Sequence, residues 1–378
     1  MSKTIFWFTT GIIFYTYFGY PLVMIFLSKF RYKPVKKEEF TPRVSLIVAA
    51  YNEEMQIEQK IINCLSIDYP KEIIEIILAS DGSTDSTISI IKKYKDKGIK
   101  LVDSKERVGK TQIQNEAIKV SSGEILFFSD VSTIHPPDVI KKITRNFVDK
   151  TVGCVTGKVI FWSNEKNLIT KGAELRLKYE IYLREKQSGF HSLFGATGCI
   201  YAIRKELFEP LREDLVSDFV EPLKILEKGY RTVYEAEALA IINREIDFKK
   251  EFTRRIRVIQ QGLFGLFYMR HLLNPFRFGL LSFSLFSHRL LRWLMPFFLI
   301  GVFLSNYLLI GNKLYLFLFI AQSGFYLSGI IGMVLTTQDR NLKLLYPIVY
   351  FCMINIAAAV GFYRYLRGIK EIYWETLR

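Results

Sequence analysis

Hydrophobic and polar positions follow three different rhythms along this chain, and each predicts a different kind of element. Residues 4–28, 293–312, 314–338 and 344–363 are runs without a single charge. A helix needs about 20 residues to cross a hydrocarbon core about 30 Å thick, so each run is long enough to span. One such run could be a buried core helix; four, three of them crowded into the last quarter, predict membrane embedding. The first run is too long for the apolar core of a secretory leader, and no small-residue cleavage site follows it. It leads instead into Lys29, Arg31, Lys33, Lys36 and Lys37. A basic cluster there belongs on the cytoplasmic side and keeps the polar segment behind it on the same side.

The second rhythm occupies residues 44–246. Mainly apolar runs at 44–49, 73–79 and 124–128 and a short strand candidate at 99–102 alternate with stretches of helical spacing at 54–65, 85–94 and 110–120. Apolar strands alternating with helices predict an α/β domain whose mostly parallel sheet is covered on both faces. The third rhythm covers 247–292, where short apolar runs (264–269, 278–286) are broken by Arg and His. These are too short to span and have basic margins, which predicts helices lying in the membrane interface. The expected order is a membrane helix at 1–30, a basic linker at 31–43, the α/β domain at 44–246 and interfacial helices at 247–292. Three membrane helices at 293–366 and a tail at 367–378 complete it.

Charge refines this picture. The net charge of +15 raises nucleic acid as a partner, but much of the excess flanks the apolar runs: Lys29 to Lys37, Arg289, Arg292, Arg364, Arg367 and Lys370. That placement fits anionic headgroups, so membrane lipid is the expected partner and nucleic acid is not. Four spans with a cytoplasmic α/β domain would put both termini on the outer face. The tail nevertheless carries Arg364, Arg367, Lys370 and Arg378, which the positive-inside tendency keeps in the cytoplasm. Either the span count differs by one, with 278–286 in a re-entrant element, or the rule is broken here. Cys64, Cys154, Cys199 and Cys352 are far apart and show no paired spacing. Neither a zinc site nor a disulfide framework is indicated, in keeping with a reducing compartment.

Candidate chemistry lies where the predicted strands end. Ligands of open α/β sheets bind outside the carboxyl ends of the strands. Three of those ends read Tyr51-Asn52-Glu53-Glu54, Asp81-Gly82-Ser83-Thr84-Asp85 and Asp130-Val131-Ser132-Thr133. Singly, such residues are turn formers and helix N-caps, which is the preferred reading of Asp85. Together, three acidic strand ends converging on one crevice suit a hydroxyl-rich ligand and a divalent cation.

In this order and spacing, Val-Ala-Ala-Tyr-Asn-Glu-Glu (48–54), Ala-Ser-Asp-Gly-Ser-Thr-Asp (79–85) and Phe-Ser-Asp-Val-Ser-Thr (128–133) resemble family 2 glycosyltransferases of the GT-A fold. A cytoplasmic domain between membrane helices is similar to the branch holding cellulose, hyaluronan and poly-N-acetylglucosamine synthases. The resemblance covers residues 44–262. It implies that Tyr51 and Glu53 line a nucleoside pocket and that Asp81 bonds the nucleobase, usually uracil. Lys110, in the Gly109-Lys110 pair opening a helix, would face the donor phosphates, where a helix N-terminus and a cation both favour an anion. Asp130 matches the first acid of an Asp-x-Asp metal motif, with Mg²⁺ or Mn²⁺ as the implied cofactor. Ser132 stands where the second acid belongs and offers only a hydroxyl.

Further along, Gly195-Ala196-Thr197-Gly198 corresponds to a segment close to the acceptor sugar, which makes Thr197 and Gly198 candidate acceptor-binding residues. Leu215-Val216-Ser217-Asp218-Phe219 resembles the family's Thr-Glu-Asp segment with the last acid kept. Asp218 is then the expected general base, which must reach the acceptor hydroxyl by hydrogen bond. Asp214, Glu213 and Glu221 are competing acids nearby. Arg254-Arg255-Ile256-Arg257-Val258 aligns with a Gln/Arg-x-x-Arg-Trp signature, so Arg254 and Arg257 would brace the diphosphate. A basic interfacial helix is the alternative. Val258 replaces the aromatic residue on which a growing glycan would stack.

The expected activity is an inverting transfer of a sugar from a nucleotide sugar, a UDP-sugar in most relatives, to a growing polysaccharide. A distributive transfer to a polyprenyl- or other lipid-linked acceptor is the alternative favoured by Val258. A nucleotide-binding membrane component without turnover is a third reading.

Overall fold

The computed structural model describes residues 1–30, 32–162, 168–243, 248–336, 345–371 and 373. Four strands, β1 (Val44–Ala50), β2 (Ile74–Asp81), β3 (Ile99–Ser104) and β4 (Ile125–Asp130), pair in parallel in the order β3-β2-β1-β4. All seven positions of β1 are buried, as a strand covered on both faces requires. Leu46 and Val48 face one core with α2 (Ile57–Leu65) and the helix at Val139–Thr144. Ile47 and Ala49 face the other with Ile113 and Ala117 of α4 (Lys110–Lys119). The short helix at Thr87–Lys92 is α3 and that at Val139–Thr144 is α5.

The register is level at the carboxyl edge: Ala50 pairs with Ser80, Ala49 with Asp130, and Asp81 with Ser104. The three acidic strand ends are therefore neighbours. Beyond β4 the sheet changes character. β7 (Tyr201–Arg204) runs antiparallel to β4 and to β6 (Val152–Trp162), β8 (Arg231–Asn243) runs parallel to β6, and the two-residue β5 (Thr133–Ile134) closes antiparallel on β8. The result is a mixed eight-stranded sheet among the described residues, continuously parallel through the half that the apolar runs predict and mixed beyond it.

The remainder is helical: α1 (Ser2–Phe30), α6 (Leu168–Phe190), α7 (Ser217–Glu227), α8 (Phe248–Tyr268), α9 (Leu280–Trp293), α10 (Met295–Tyr307), α11 (Lys313–Thr336) and α12 (Tyr346–Leu366). Among the described residues, Ser2–Phe30, Lys313–Leu335 and Pro347–Leu366 are long and apolar enough to cross a membrane. A fourth crossing exists only if α9 and α10, bent by 61° at Leu294, count as one. The expected span at 293–312 is thus the second limb of a bent pair, and 278–286 falls largely in the first.

α8 is amphipathic, burying Ile256, Ile259, Leu263 and Leu266 and exposing Val258 and Phe267. α12 lies along it in the same direction: Tyr350 and Met353 meet Phe248 and Phe252, and Gly361 lets the backbone settle on Ile256 and Ile259. The chain after α12 returns to the sheet domain. Gln260 and Gln261 side chains donate to the carbonyls of Ile369 and Glu371, and Lys370 Nζ lies 2.8 Å from Asp214.

Candidate functional site

The loops after β1 and β2 are stitched into one surface. Asn52 takes a positive φ of 50°, which lets its Oδ1 accept from Thr84 N (2.8 Å) while its own amide donates to Ser83 Oγ (3.1 Å). The amides of Glu53 and Glu54 donate to Thr87 Oγ1 (2.8 Å) and Asp85 Oδ2 (3.2 Å). Asp85 also accepts from Thr87 N at 3.0 Å at the start of α3, the capping role anticipated for it.

Asp81 sits lower than a base-binding position suggests. It is fully buried, and Oδ1 accepts from the amides of Val108 (2.6 Å) and Gly109 (3.0 Å). Burial pushes its carboxyl above the ordinary value even against those two amides and the Arg107 charge. Asp81 therefore holds the 105–109 loop down on β2. Gly82, at φ 67°, makes this possible, because a Cβ there would stand 2.8 Å from the backbone of Glu106 and Arg107. The loop delivers Arg107, whose guanidinium lies 3.7 Å from the Tyr51 ring centre and 4.8 Å from that of Tyr373. Cation–π contacts of this kind organise a flat slot. Sequence reasoning passed over Arg107, although it stands three residues before Lys110.

Lys110 opens α4 and ion-pairs with Asp130 at the end of β4. Desolvation opposes its charge, but Asp130 and then Asp218 keep its pKa above the usual lysine value. Beneath Asp130 lies a second cation that the sequence did not flag. Lys60 is fully buried and donates to Ser129 Oγ (2.7 Å) and the Thr133 carbonyl (2.6 Å). Ser129 Oγ is also 2.8 Å from His135 Nε2. This network fixes the turn that presents Asp130 and the exposed Ser132. Among the described residues no three His, Cys, Asp or Glu side chains group closely enough to hold a metal. One carboxylate and one hydroxyl fit a divalent cation only if diphosphate oxygens complete its shell.

Asp218 enters in the first turn of α7. Its backbone carbonyl accepts from Ala196 N at 2.7 Å, tying it to the 195–198 segment. Gly198 lies so close that a Cβ would stand 2.5 Å from Asp218 Oδ2, and Thr197 Oγ1 accepts from Arg184. Burial raises the Asp218 pKa; Lys110 counters it and Asp130 adds to it. A carboxylate tuned upward and still reachable has the character of a general base.

The competing acids are otherwise engaged. Asp214 is salt-bridged to Arg212 and Lys370, and Glu213 is exposed. Glu221 is 4% exposed and accepts from Tyr201 Oη at 2.9 Å. Lys110, Asp130, Asp218, Thr197 and Gly198 thus come together at the carboxyl edge, beside the surface carrying Tyr51 and Glu53. Arg254 forks onto Glu251 within α8 at 3.0 Å for both bonds. Arg257 is half-buried on the same helix.

Comparison with known proteins places this geometry. The family model "Glycosyl transferase family 2" matches residues 45–212. Poly-beta-1,6-N-acetyl-D-glucosamine synthase of Staphylococcus aureus is 32% identical over 160 residues, covering 41% of this chain and 36% of that protein. An N-acetylglucosaminyltransferase of Azorhizobium caulinodans is 26% identical over 218 residues, 53% of this chain and 54% of that one. The alignments therefore span only about a third to a half of these relatives. Among solved structures, the mannosyltransferase PcManGT from Pyrobaculum calidifontis, in complex with GDP-Man and Mn²⁺, superposes with a TM-score of 0.72. That match covers 98% of this chain and all of the other at 20% identity, a likeness of fold that takes in both the GT-A sheet domain and the helices.

Proposed function

With residues 45–212 a family 2 glycosyltransferase domain, we propose that the protein transfers a sugar, with inversion, from a nucleoside diphosphate sugar to an acceptor hydroxyl held at Asp218. The observation that carries this is the meeting of Lys110, Asp130 and Asp218 beside Gly198 at the carboxyl edge of the sheet. The acceptor hydroxyl gives its proton to the Asp218 carboxylate as its oxygen attacks the anomeric carbon. The bond from that carbon to the diphosphate breaks, and the nucleoside diphosphate departs with the electron pair.

Lys110 turns from Asp130 to the diphosphate and stabilises the charge that develops there. Tyr51, Glu53 and Arg107 form the nucleoside slot, to which Asp81 contributes by anchoring the Arg107 loop. Arg254 and Arg257 stand by on α8 as further support for the diphosphate. Asp130 and Ser132 would hold Mg²⁺ or Mn²⁺ together with the diphosphate, and the bound cation would neutralise the leaving group. The relatives named for poly-N-acetylglucosamine synthesis and N-acetylglucosaminyl transfer support a nucleotide-sugar donor and a glycan acceptor; a UDP-sugar and a lipid-linked acceptor belong to our reading.

On the membrane side, α1, the bent pair α9–α10 and α11 would cross the bilayer, with the sheet domain in the cytoplasm. α12, lying along amphipathic α8, would rest at the interface. The domain and the chain after α12 then share one side, which places Arg364, Arg367 and Lys370 where the positive-inside tendency expects them. The test of the activity is direct: incubate the membrane-reconstituted protein with a panel of nucleotide sugars and measure released nucleotide. Turnover of one sugar with metal dependence is the expected result, and release from none would overturn the assignment.

A further inference from the structure

Between Asp218 and the membrane helices lies a group of charged side chains that proton transfer at Asp218 does not use. Arg176, Glu180 and Arg184 succeed one another at helical spacing on α6, and His288, Arg289 and Arg292 stand on α9. Glu180 ion-pairs with Arg292, and its Oε2 is 3.6 Å from His288 Nε2. Burial alone would lift the Glu180 carboxyl, but Arg292, His288, Arg176 and Arg289 hold it well below the usual range. It therefore stays an anion facing three guanidinium groups and the His288 ring. Arg255, nearby on α8, has its own partner in Glu251, and Asp218 is shared with Lys110.

This excess of buried cation is incompletely satisfied. Among the described residues, Arg289 Nε, Arg292 Nε and both ring nitrogens of His288, a residue 4% exposed, find no hydrogen-bond partner. Removing a charged group from water costs several kcal/mol unless partners replace the water, and buried polar atoms without partners are uncommon. An incoming anion would supply them, and guanidinium forks match phosphate oxygens in shape as well as charge.

Position identifies which phosphate. At one end, Arg184 donates to Thr197, and Arg289 Nη2 lies 3.3 Å from where a Cβ on Gly195 would stand. At the other, the group abuts α1: Tyr20 stacks on His288 (5.5 Å between ring centres) and accepts from Gln187, and Tyr15 bonds Ser287 at 2.8 Å. The cluster therefore bridges the acceptor end of the site and a membrane-crossing helix.

We propose that Arg176, Arg184, Arg289 and Arg292, gathered around Glu180 and His288, bind the phosphate of a lipid-linked acceptor and so place its hydroxyl at Asp218. This rests on the transferase reading and names its acceptor class. The lipid chain leaves between α1 and α9, and the phosphate is the handle by which a membrane-borne acceptor is held in register.

The test uses the full chain in nanodiscs of neutral phosphatidylcholine, with binding measured for geranylgeranyl phosphate, geranylgeraniol and inorganic phosphate. The phosphate lipid should bind at least about tenfold tighter than the alcohol, as one lost charged hydrogen bond alone would imply. Arg289→Gln and Arg184→Gln should close that gap, while Arg277→Gln, at an exposed arginine, should leave it. Should Arg289→Gln fail to fold, Arg289→Lys keeps the charge, loses the fork, and should still narrow the preference. Equal binding of phosphate lipid and alcohol overturns the proposal, as does an equal effect of Arg277→Gln. Inorganic phosphate binding as tightly as the lipid phosphate would make this a site for free anion and overturn the lipid assignment. Because the readout is binding, it stands apart from the nucleotide-release assay. A protein that turns over no nucleotide sugar sinks the transferase reading without touching this comparison.

Discussion

Asp218 owes its character to its surroundings: burial raises its pKa, and the lysine beside it limits the rise. Asp218→Asn should cut transfer by about 10²–10⁴-fold, the usual worth of general-base catalysis, with nucleotide affinity nearly unchanged. The wild-type rate should fall toward acid along a limb lying above the ordinary aspartate range. A variant retaining half the wild-type rate would move the base elsewhere.

Three residues along, Glu221 has its pKa raised to about 8 by burial, against the Tyr201 hydrogen bond. The native state then keeps a proton that the unfolded chain releases near the ordinary glutamate value of 4.5. The resulting stability is full below that value and gone above about 8. Thermal midpoints of wild type and Glu221→Gln should therefore diverge as pH rises through this window, the wild type losing more. Parallel curves would contradict it.

At the metal motif, Asp130→Ala should abolish metal-dependent turnover, and Ser132→Asp should lower the metal concentration for half-maximal rate, since it adds an anionic oxygen ligand. Activity of Asp130→Ala in chelator would exclude the site.

Asp81, Lys110, Asp130 and Asp218 were legible because strand ends and motif spacing announce them. Lys60 was not. On the helix 57–65 its position reads as polar, and only its bonds to Ser129 of β4 and the Thr133 carbonyl of β5 show that it is enclosed. Arg107 was hidden for a similar reason, because its partner Tyr373 comes from the far end of the chain.

Elements legible in the sequence are those whose burial is uniform. β1, β2 and β4 read as mainly apolar runs because both of their faces are covered over most of their length, whereas the edge strand β3 is only partly buried. β6, β7 and β8 escaped because they mix antiparallel pairs with a parallel β6–β8 pair whose register shifts between Val152/Cys154 and Gly157/Lys158, which leaves no single period to read. The 61° bend between α9 and α10 escaped too, since apolar composition is indifferent to direction. The loop hinge at Gly82 is the element-scale weak point. Gly82→Ala would bring a Cβ against the Glu106–Arg107 backbone at a φ that costs a non-glycine residue about 1–2 kcal/mol. The 105–109 loop should lift from Asp81, and nucleotide affinity should drop about tenfold while metal dependence persists. Unchanged affinity by calorimetry would mean that the loop does not shape the slot.

For the whole molecule, the contact that bears most on the proposed topology is α12 along α8, under which only α1, α9–α10 and α11 would cross. Single cysteines read this out with an impermeant maleimide, using Lys105→Cys, Asn312→Cys and Arg367→Cys, all at exposed positions. Lys105→Cys and Arg367→Cys should label from one side and Asn312→Cys from the other. Labelling of Arg367→Cys together with Asn312→Cys would restore a fourth crossing.

The sandwich of Arg107 between Tyr51 and Tyr373 has a consequence for how the protein is born. Its two rings leave the ribosome roughly 15 to 60 s apart, at synthesis rates of about 5–20 residues per second. The sheet can form as soon as β8 emerges, yet the nucleotide slot gains its last wall only after every membrane helix has been inserted. Under the proposed topology, nascent chains stalled before α12 should therefore carry a folded sheet and an unfinished pocket, and should not bind nucleotide until Tyr373 joins the slot.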